Sequence, residues 1–199
     1  MLLLSTSLCL AHGEADGSGP SCQTGRPDNV WCEAEKVGYV AGVAIRSEML
    51  YEALDSHGHD FEPAAIACPG CRSALEHDGF CQDHRIGFVR GKGYLTPLTY
   101  HLALGRRIDP DALGCPVCRA HTDGIGWCGT HGVGIAGLTA VDDRREFEAL
   151  SRAYEVLLAA VAMSARCENC AAAMVADGYC PVHRTRYRDG ERLPAAQLP

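Results

Sequence analysis

The sequence predicts an α+β fold in which tandem small β-hairpin units are joined by helices. Three observations support this fold class. A motif of spaced cysteines and histidines recurs along the 199 residues, glycine-containing turns follow each copy, and amphipathic segments separate the copies. A motif that returns at a regular interval marks a chain of supersecondary units that stack on their neighbours. We therefore expect a repeat protein.

The repeated motif has the spacing Cys-x2-Cys-x9-Cys-x2-His in three copies. Three thiolates and one imidazole complete a tetrahedral Zn²⁺ site, and a Cys-x2-Cys pair presents two sulfurs from one short segment. Each copy is therefore predicted to bind one metal ion. Zn²⁺ is the expected metal, at about three ions per chain, although thiolate-rich sites also accept iron and Cu(I). The predicted ligands are Cys68, Cys71, Cys81 and His84; Cys115, Cys118, Cys128 and His131; and Cys167, Cys170, Cys180 and His183.

A degenerate copy of the motif comes first. Cys22 and Cys32 keep the nine-residue spacing, but Gly19 and Glu35 stand where the outer ligands belong. This copy cannot form a closed Cys3His site. A disulfide, a pair of free thiols and a weak, open metal site are the alternatives for its two cysteines.

Each motif is followed by a predicted hairpin. An aromatic residue precedes the third cysteine position in every copy, and the nine-residue spacer is itself expected to form a short hairpin. Short β-prone runs around an X-Gly dipeptide are a strong hairpin signal. The predicted hairpins are residues 37–45 around Ala41-Gly42, 86–95 around Arg90-Gly91, 133–141 around Ala136-Gly137, and 185–193 around Asp189-Gly190.

Amphipathic periodicity predicts three helices between the units, over residues 47–57, 96–105 and 143–165. Asp143 with Glu146 forms a predicted capping pair, and Pro97 suits the first helical position. The organisation predicted from these patterns is a leader or disordered tail (1–18), a degenerate first repeat plus helix (19–66), a second repeat plus helix (67–113), a third repeat plus long helix (114–166), and a fourth repeat (167–199).

Composition and charge restrict the function classes. The net charge of −7 disfavours a nucleic-acid binder, which normally carries a basic face. No apolar run reaches the roughly 18 residues that span a bilayer. The first eleven residues, MLLLSTSLCLA, are apolar and end in a passable cleavage site, but they lack a basic start. Export is slightly favoured over a cytoplasmic location.

The three ligand quartets resemble those of the zinc-ribbon or rubredoxin-like knuckle family, over about fifteen residues per copy. The resemblance implies metal binding and stabilisation of the fold. Two shorter resemblances point to heavy-metal proteins. The segment from Trp31 to Val37 is similar to a segment at the front of heavy-metal efflux adaptors, and the segment from Tyr179 to His183 is similar to one in small heavy-metal-binding domains.

Three function hypotheses follow. The first is a non-catalytic zinc-binding repeat that acts as a protein-interaction scaffold or in metal handling, with an unknown protein partner or metal-transport component. The alternative is an exported zinc or copper buffer or chaperone associated with efflux. The third is a zinc-ribbon nucleic-acid binder, which would use two basic groups: Arg85, Arg90, Lys92, Arg106 and Arg107, and Arg184, Arg186, Arg188 and Arg192 with Tyr187.

Catalysis is not expected, because a zinc site with four protein ligands has no open position for a reacting water. Outside the quartets, Asp55, His57, His59 and Asp60 are close in sequence. They are interpreted either as a second kind of metal site or as a solvated helix end, where histidine suits the helix dipole.

Overall fold

Four antiparallel sheets follow one another along residues 30–194, the part of the chain that the computed structural model describes. The predicted leader, Gly19 and Cys22 lie outside it. Each sheet contains a short strand and a hairpin, and we number the units by their hairpins. The strands are β1 (Trp31–Cys32), β2 (Val37–Val40) and β3 (Val43–Ile45); β4 (His59–Asp60), β5 (Phe80–Cys81), β6 (Ile86–Val89) and β7 (Lys92–Tyr94); β8 (Arg106–Arg107), β9 (Ile125–Cys128), β10 (Val133–Ala136) and β11 (Thr139–Val141); and β12 (Tyr179–Cys180), β13 (Thr185–Arg188) and β14 (Glu191–Arg192).

Helices separate the strands and confirm the α+β class. Within residues 30–194, no helix is both long enough and apolar enough to cross a membrane. Two short 3-10 helices, Pro63–Ala65 and Pro110–Ala112, precede the second and third motifs. The α-helices are α1 (Glu48–Leu54), α2 (Pro69–Glu76), α3 (Pro97–Leu104), α4 (Pro116–Ala120), α5 (Arg144–Ser164) and α6 (Glu168–Val175).

The three helices predicted from periodicity begin at the expected residues. Ser47, Thr96 and Asp143 are the N-caps of α1, α3 and α5, and each side-chain oxygen accepts a hydrogen bond from a backbone N–H of the first turn. Such a bond satisfies one of the N–H groups that a helix start leaves unpaired. α1 ends at Leu54, before the predicted end at His57, because Asp55 adopts a left-handed conformation with φ 48°.

The prediction of a hairpin within the nine-residue spacer is wrong. In each complete motif the first cysteine is the N-cap of a short helix, α2, α4 or α6, and the second cysteine lies in its first turn. In α2 and α4 a proline occupies the first helical position, where its fixed φ suits the helix and its missing N–H costs nothing. Both sulfurs of the Cys-x2-Cys pair are therefore held by a helix N-terminus.

Three of the four predicted hairpins turn at the predicted dipeptides. Both central residues of each turn have positive φ, as a type I′ turn requires. This turn twists in the same sense as the strands and fixes their pairing. The three turns are Ala41-Gly42, Arg90-Gly91 and Asp189-Gly190.

The hairpin of the third unit turns one residue later than predicted, at Gly137-Leu138. Ala136 is fully buried and pairs with Thr139, so it belongs to β10. The turn also contacts the first unit, because the Leu138 N–H donates to the Ala41 carbonyl at 3.0 Å. Burial and this contact between hairpins set the position of the turn.

An aromatic side chain from the following helix packs over a glycine in the first three hairpins. The glycine pairs across the sheet with the aromatic residue that precedes the third cysteine position, and the two rings lie 5.3–5.6 Å apart between centroids. A Cβ on any of these glycines would lie within 2.4 Å of the helix ring. Each helix is thus locked onto its own hairpin. The triplets are Trp31, Gly38 and Tyr51; Phe80, Gly87 and Tyr100; and Trp127, Gly134 and Phe147.

Neighbouring units share strands. β4 follows the helix of the first unit but pairs with β7 of the second, and β8 follows the helix of the second unit but pairs with β11 of the third. The second and third sheets are therefore four-stranded, with orders β4-β7-β6-β5 and β8-β11-β10-β9. Each connection crosses one of the segment boundaries predicted from the sequence.

The helices supply the main hydrophobic core. Residues of α1, α3, α5 and α6 form one cluster, in which Leu50, Leu150 and Leu157 are fully buried. Smaller clusters lie beside the individual hairpins of the first three units. The helices therefore join hairpins that could bury little surface by themselves.

Candidate metal centres

The structure brings each predicted Cys3His quartet together. In all three, the four ligand atoms lie within 4.8 Å of one another. In the structure the nine cysteines of these quartets are free thiols and form no disulfides. These repeated clusters fit a metal-binding repeat, and each could hold one ion.

Two local elements meet at each centre. The N-terminus of the short helix carries the first two cysteines, while the third cysteine ends a strand and the histidine lies in the turn that follows. The residue after the histidine position has positive φ in every unit, including the first. The chain reverses there and enters the hairpin. These residues are Lys36, Arg85, Gly132 and Arg184.

The distances between ligand atoms match a tetrahedral ion. Bond lengths of zinc place two sulfurs about 3.8 Å apart and a sulfur and a nitrogen about 3.6 Å apart. In the second unit, Cys68 Sγ lies 3.9 Å from Cys81 Sγ, and His84 Nδ1 lies 3.4 Å from Cys71 Sγ and 3.7 Å from Cys81 Sγ. The donor atoms therefore surround a space of the right size for such an ion.

The other two centres repeat this geometry. His131 Nδ1 lies 3.4 Å from both Cys118 Sγ and Cys128 Sγ. In the fourth unit, His183 Nδ1 lies 3.2 Å from Cys170 Sγ and 3.7 Å from Cys180 Sγ. Each histidine thus presents the same ring nitrogen to its cysteines.

The thiols of one centre have opposite pKa shifts. Burial, together with the neighbouring thiols of Cys81 and Cys68, raises the pKa of Cys71 to about 12. Hydrogen bonds from the backbone and side chain of His84 lower the pKa of Cys81 to about 7. Closely spaced sulfurs cannot all ionise by themselves, whereas a bound cation stabilises three thiolates together.

The same contrast recurs in the fourth unit. Burial raises the pKa of Cys170 to about 11. Burial also acts against ionisation of Cys180, but hydrogen bonds from the His183 backbone and the Cys170 thiol lower the pKa of Cys180 to about 7. The backbone N–H of His183 thus points at the Cys180 thiol, at 3.4 Å.

The same pattern of ligand exposure recurs in all three centres. In every centre the second and third cysteines are buried, the first cysteine is partly buried and the histidine is exposed. Cys128 and Cys180 have no exposed surface. The sulfur side of each centre therefore faces protein, and the imidazole edge faces solvent.

A cavity of about 350 Å³ reaches the centre of the third unit. Cys115 and His131 line it, together with Arg106 and Ile108. Ile108 directly follows β8, and Phe61 has the equivalent position after β4 in the second unit. The Phe61 ring packs edge-on against Phe88, with the ring centroids 5.4 Å apart. The smaller side chain of Ile108 leaves space beside its own centre.

The first unit is built differently. Cys32 is disulfide-bonded, as one of the sequence-based alternatives proposes for this copy. Glu35 occupies the position of the ligand histidine, and within the described residues its buried Oε2 has no hydrogen-bond partner. This unit has the hairpin and the following helix of the second and third units, but the described part of it contains no Cys3His cluster.

The remaining predicted site residues divide into two groups. Asp55, His57 and His59 come together, whereas Asp60 Oδ1 pairs instead with Lys92 Nζ at 2.6 Å.

Several basic residues of the second unit are paired with acidic partners or with backbone carbonyls. These pairs are Arg85 with Asp177 and Asp189, Arg106 with Asp142, and Arg90 with the carbonyl of Ala103.

Sequence reasoning missed the strands β4 and β8 that position two of the centres. A signal for them is present. The same pattern follows both strands. An apolar residue, an acidic residue and a proline come first, and a second apolar residue stands two positions before the first cysteine of the motif. The matching segments are Phe61–Ile66 and Ile108–Leu113.

Comparisons with known proteins add no family. No protein-family model matches the chain, and no curated protein or solved structure matches it. What is known of the sites therefore comes from their residues and geometry.

Proposed function

We propose that this chain is a non-catalytic zinc-binding repeat protein, in which three Cys3His-bound ions stabilise the hairpin units of a protein-interaction scaffold. The observation that carries the proposal is the threefold recurrence of four donor atoms at tetrahedral separations. Three thiolates and one imidazole are a characteristic ligand set of structural zinc.

A structural role is supported by the small cores around the centres. The core cluster of the second motif has four buried residues, Cys71, Ala74, Cys81 and Phe88, and the larger side chains packed against it are only partly buried. Such a cluster buries little apolar surface, so metal binding supplies a large share of local folding free energy, on the order of 10 kcal/mol per site in small zinc peptides. Four protein ligands also leave no position for a substrate or a reacting water.

Elemental analysis with a free-thiol count tests the proposal directly. We expect about three zinc ions per chain, with Cys71→Ser, Cys118→Ser and Cys170→Ser each losing one. Cys32→Ser is the matched control, because it removes a cysteine of the degenerate first repeat that belongs to no quartet, and this variant should keep the full metal content. Iron or copper in place of zinc, or an unchanged zinc content in the three ligand variants, would contradict the proposal.

Metal handling is the second candidate function, in the form of an exported zinc or copper buffer or chaperone associated with efflux. The cavity beside Cys115 and His131 favours it, because an incoming chelating group could reach the ion there. Exchange with isotopically enriched zinc separates the two functions. A scaffold keeps its ions while folded, whereas a carrier exchanges the third-unit ion first, and Ile108→Phe would slow that exchange by filling the cavity.

Nucleic-acid binding is the least supported function. The acidic net charge opposes it, and Arg85 and Arg106 of the basic group in the second unit are held by aspartates. Binding to phosphate backbones weakens steeply with salt. A salt-dependent affinity for DNA or RNA would revive this hypothesis.

A further inference from the structure

A cluster without sulfur lies between the first and second units. Asp55 is the C-cap that directly follows α1, His57 lies in the connecting turn, and His59 begins β4. Their ligand atoms lie within 4.8 Å of one another. None of these residues belongs to the Cys3His centres.

The carboxylate of Asp55 lies between the two imidazoles. One oxygen, Oδ2, is 2.6 Å from His59 Nε2, and the other, Oδ1, is 3.2 Å from His57 Nδ1. The two rings meet edge-on, with centroids 4.9 Å apart. Three potential ligands of different residues therefore point toward one small volume.

The backbone on both sides of the cluster is fixed. Asp55 has φ 48° and Gly58 has φ 70°, so the chain turns sharply at both positions. His59 is held in β4 by its pairing with Gly93 of β7. A Cβ at Gly58 would lie 2.9 Å from the ring of Tyr94, so the turn packs closely on the second sheet.

The neighbouring charges leave the cluster accessible to a cation. Lys92, which belongs to the adjacent strand, extends its ammonium to Asp60. The side chain of His57 is 63% exposed and that of His59 is 36% exposed. A cation can therefore approach from solvent on the histidine side.

We propose that Asp55, His57 and His59 form an exchangeable binding site for a divalent cation of borderline softness, such as Zn²⁺ or Ni²⁺. Imidazole and carboxylate donors suit these ions. The cation takes the place of the protons that the ring nitrogens share with Asp55, and each neutral imidazole carries its proton on its other nitrogen. Three protein ligands leave the remaining coordination positions to water, so this ion exchanges more readily than one held by four protein ligands.

The site differs from the Cys3His centres in donor set and in position. It uses no thiolate and lies at the connection between two units, where β4 leaves the first unit. At the junction between the second and third units, β8 carries Arg106 and Arg107 at the positions of His59 and Asp60. The site is therefore specific to one junction and is not repeated with the motif.

Equilibrium dialysis of the full-length, zinc-loaded protein against Ni²⁺ tests the proposal. We expect one nickel ion per chain in addition to the zinc. His57→Asn and His59→Asn should weaken nickel binding by about tenfold or more. His77→Asn is the matched control, because His77 is the exposed C-cap residue of α2 and its Nδ1 lies 2.9 Å from the Ser73 carbonyl of that helix.

The zinc content and circular dichroism of the same samples keep the test interpretable. If His59→Asn disturbs β4, the nickel affinity of the His57→Asn variant decides between the outcomes, because the more exposed His57 side chain contributes little to packing. Asp55→Asn gives a further check, since asparagine tolerates the left-handed conformation while removing the charge. The proposal is overturned when the wild-type protein binds no nickel, or when the His57→Asn variant binds it as tightly as the wild type.

This outcome is independent of the proposed function. A protein that keeps its zinc but binds no nickel would lack the new site and retain its Cys3His centres. A protein that binds nickel at the histidines but contains no zinc would have the new site, and the proposed zinc-binding function would be wrong.

Discussion

The contact between Gly87 and Tyr100 gives a prediction with a magnitude. A Cβ at Gly87 would lie 2.0 Å from Tyr100 Cδ2, 2.2 Å from Cγ and 2.6 Å from Cβ. Turning the ring cannot relieve this overlap, because the Cβ of Tyr100 is itself involved. Gly87→Ala must therefore shift α3 away from its hairpin.

Overpacking of this kind costs about 1–3 kcal/mol, while the reduced entropy of the unfolded chain returns about 0.4–1 kcal/mol. The expected net loss in the free energy of unfolding is about 1 kcal/mol. Urea unfolding followed by circular dichroism, with excess zinc present, measures it. The fourth unit supports the reasoning, because Arg186 replaces the glycine there and the described chain has no helix after that hairpin.

Gly114→Ala is the matched control. A Cβ at Gly114 would meet nothing within 4 Å, its φ is not positive, and the second unit already has Ala67 at the same position before its motif. We expect it to leave the stability unchanged or to raise it by up to about 1 kcal/mol. Equal stabilities for Gly87→Ala and Gly114→Ala would show that the helix does not lie over the glycine as described.

Three further predictions concern an ion pair, a helix cap and the metal centres. Arg85→Gln should lower the free energy of unfolding by about 1 kcal/mol through loss of its two aspartate partners, and the loss should shrink at high salt; a salt-independent loss would contradict this. Backbone N–H groups lower the pKa of the Asp143 carboxyl in the folded protein. The carboxylate therefore stabilises the fold fully above about pH 4, where an unfolded aspartate is also ionised. This stabilisation is lost as the pH falls through the lower pKa of the folded state. Asp143→Ala should therefore lower the urea midpoint at pH 7 and matter less in acid, whereas a difference that is constant with pH would refute the cap. Hydrogen exchange should show that Cys170→Ser exposes the helical core, because Cys170 belongs to it, while Cys71→Ser opens only its own motif; identical exchange patterns would contradict this.

The ligand quartets could be predicted because their chemistry constrains the sequence directly. A tetrahedral ion needs four donors, and two pairs of donors separated by fixed spacers are visible without knowledge of the fold. The longer helices were also predictable, since Ser47, Thr96 and Asp143 are strong N-caps before apolar periodic segments. The α+β class followed from these helices together with the X-Gly hairpin turns.

The missed elements are short and depend on tertiary contacts. α2, α4 and α6 have at most eight residues, and their N-caps are cysteines that accept no capping bond. Helices this short are marginal alone, so periodicity cannot identify them. β4 has two residues, and its pairing with β7 depends on where α1 ends. The third hairpin turns one residue later than predicted because Leu138 contacts Ala41, which lies far away in sequence.

The strands that pass from one unit to the next affect how the chain can be shortened. A fragment that begins at residue 67 contains the whole second quartet but not β4, so the backbone edge of β7 loses its covering strand. An uncovered edge is a template for pairing with another chain. Such fragments should exchange strands and form dimers through Lys92–Tyr94, and the boundaries of a stable fragment should include the tail of the preceding unit.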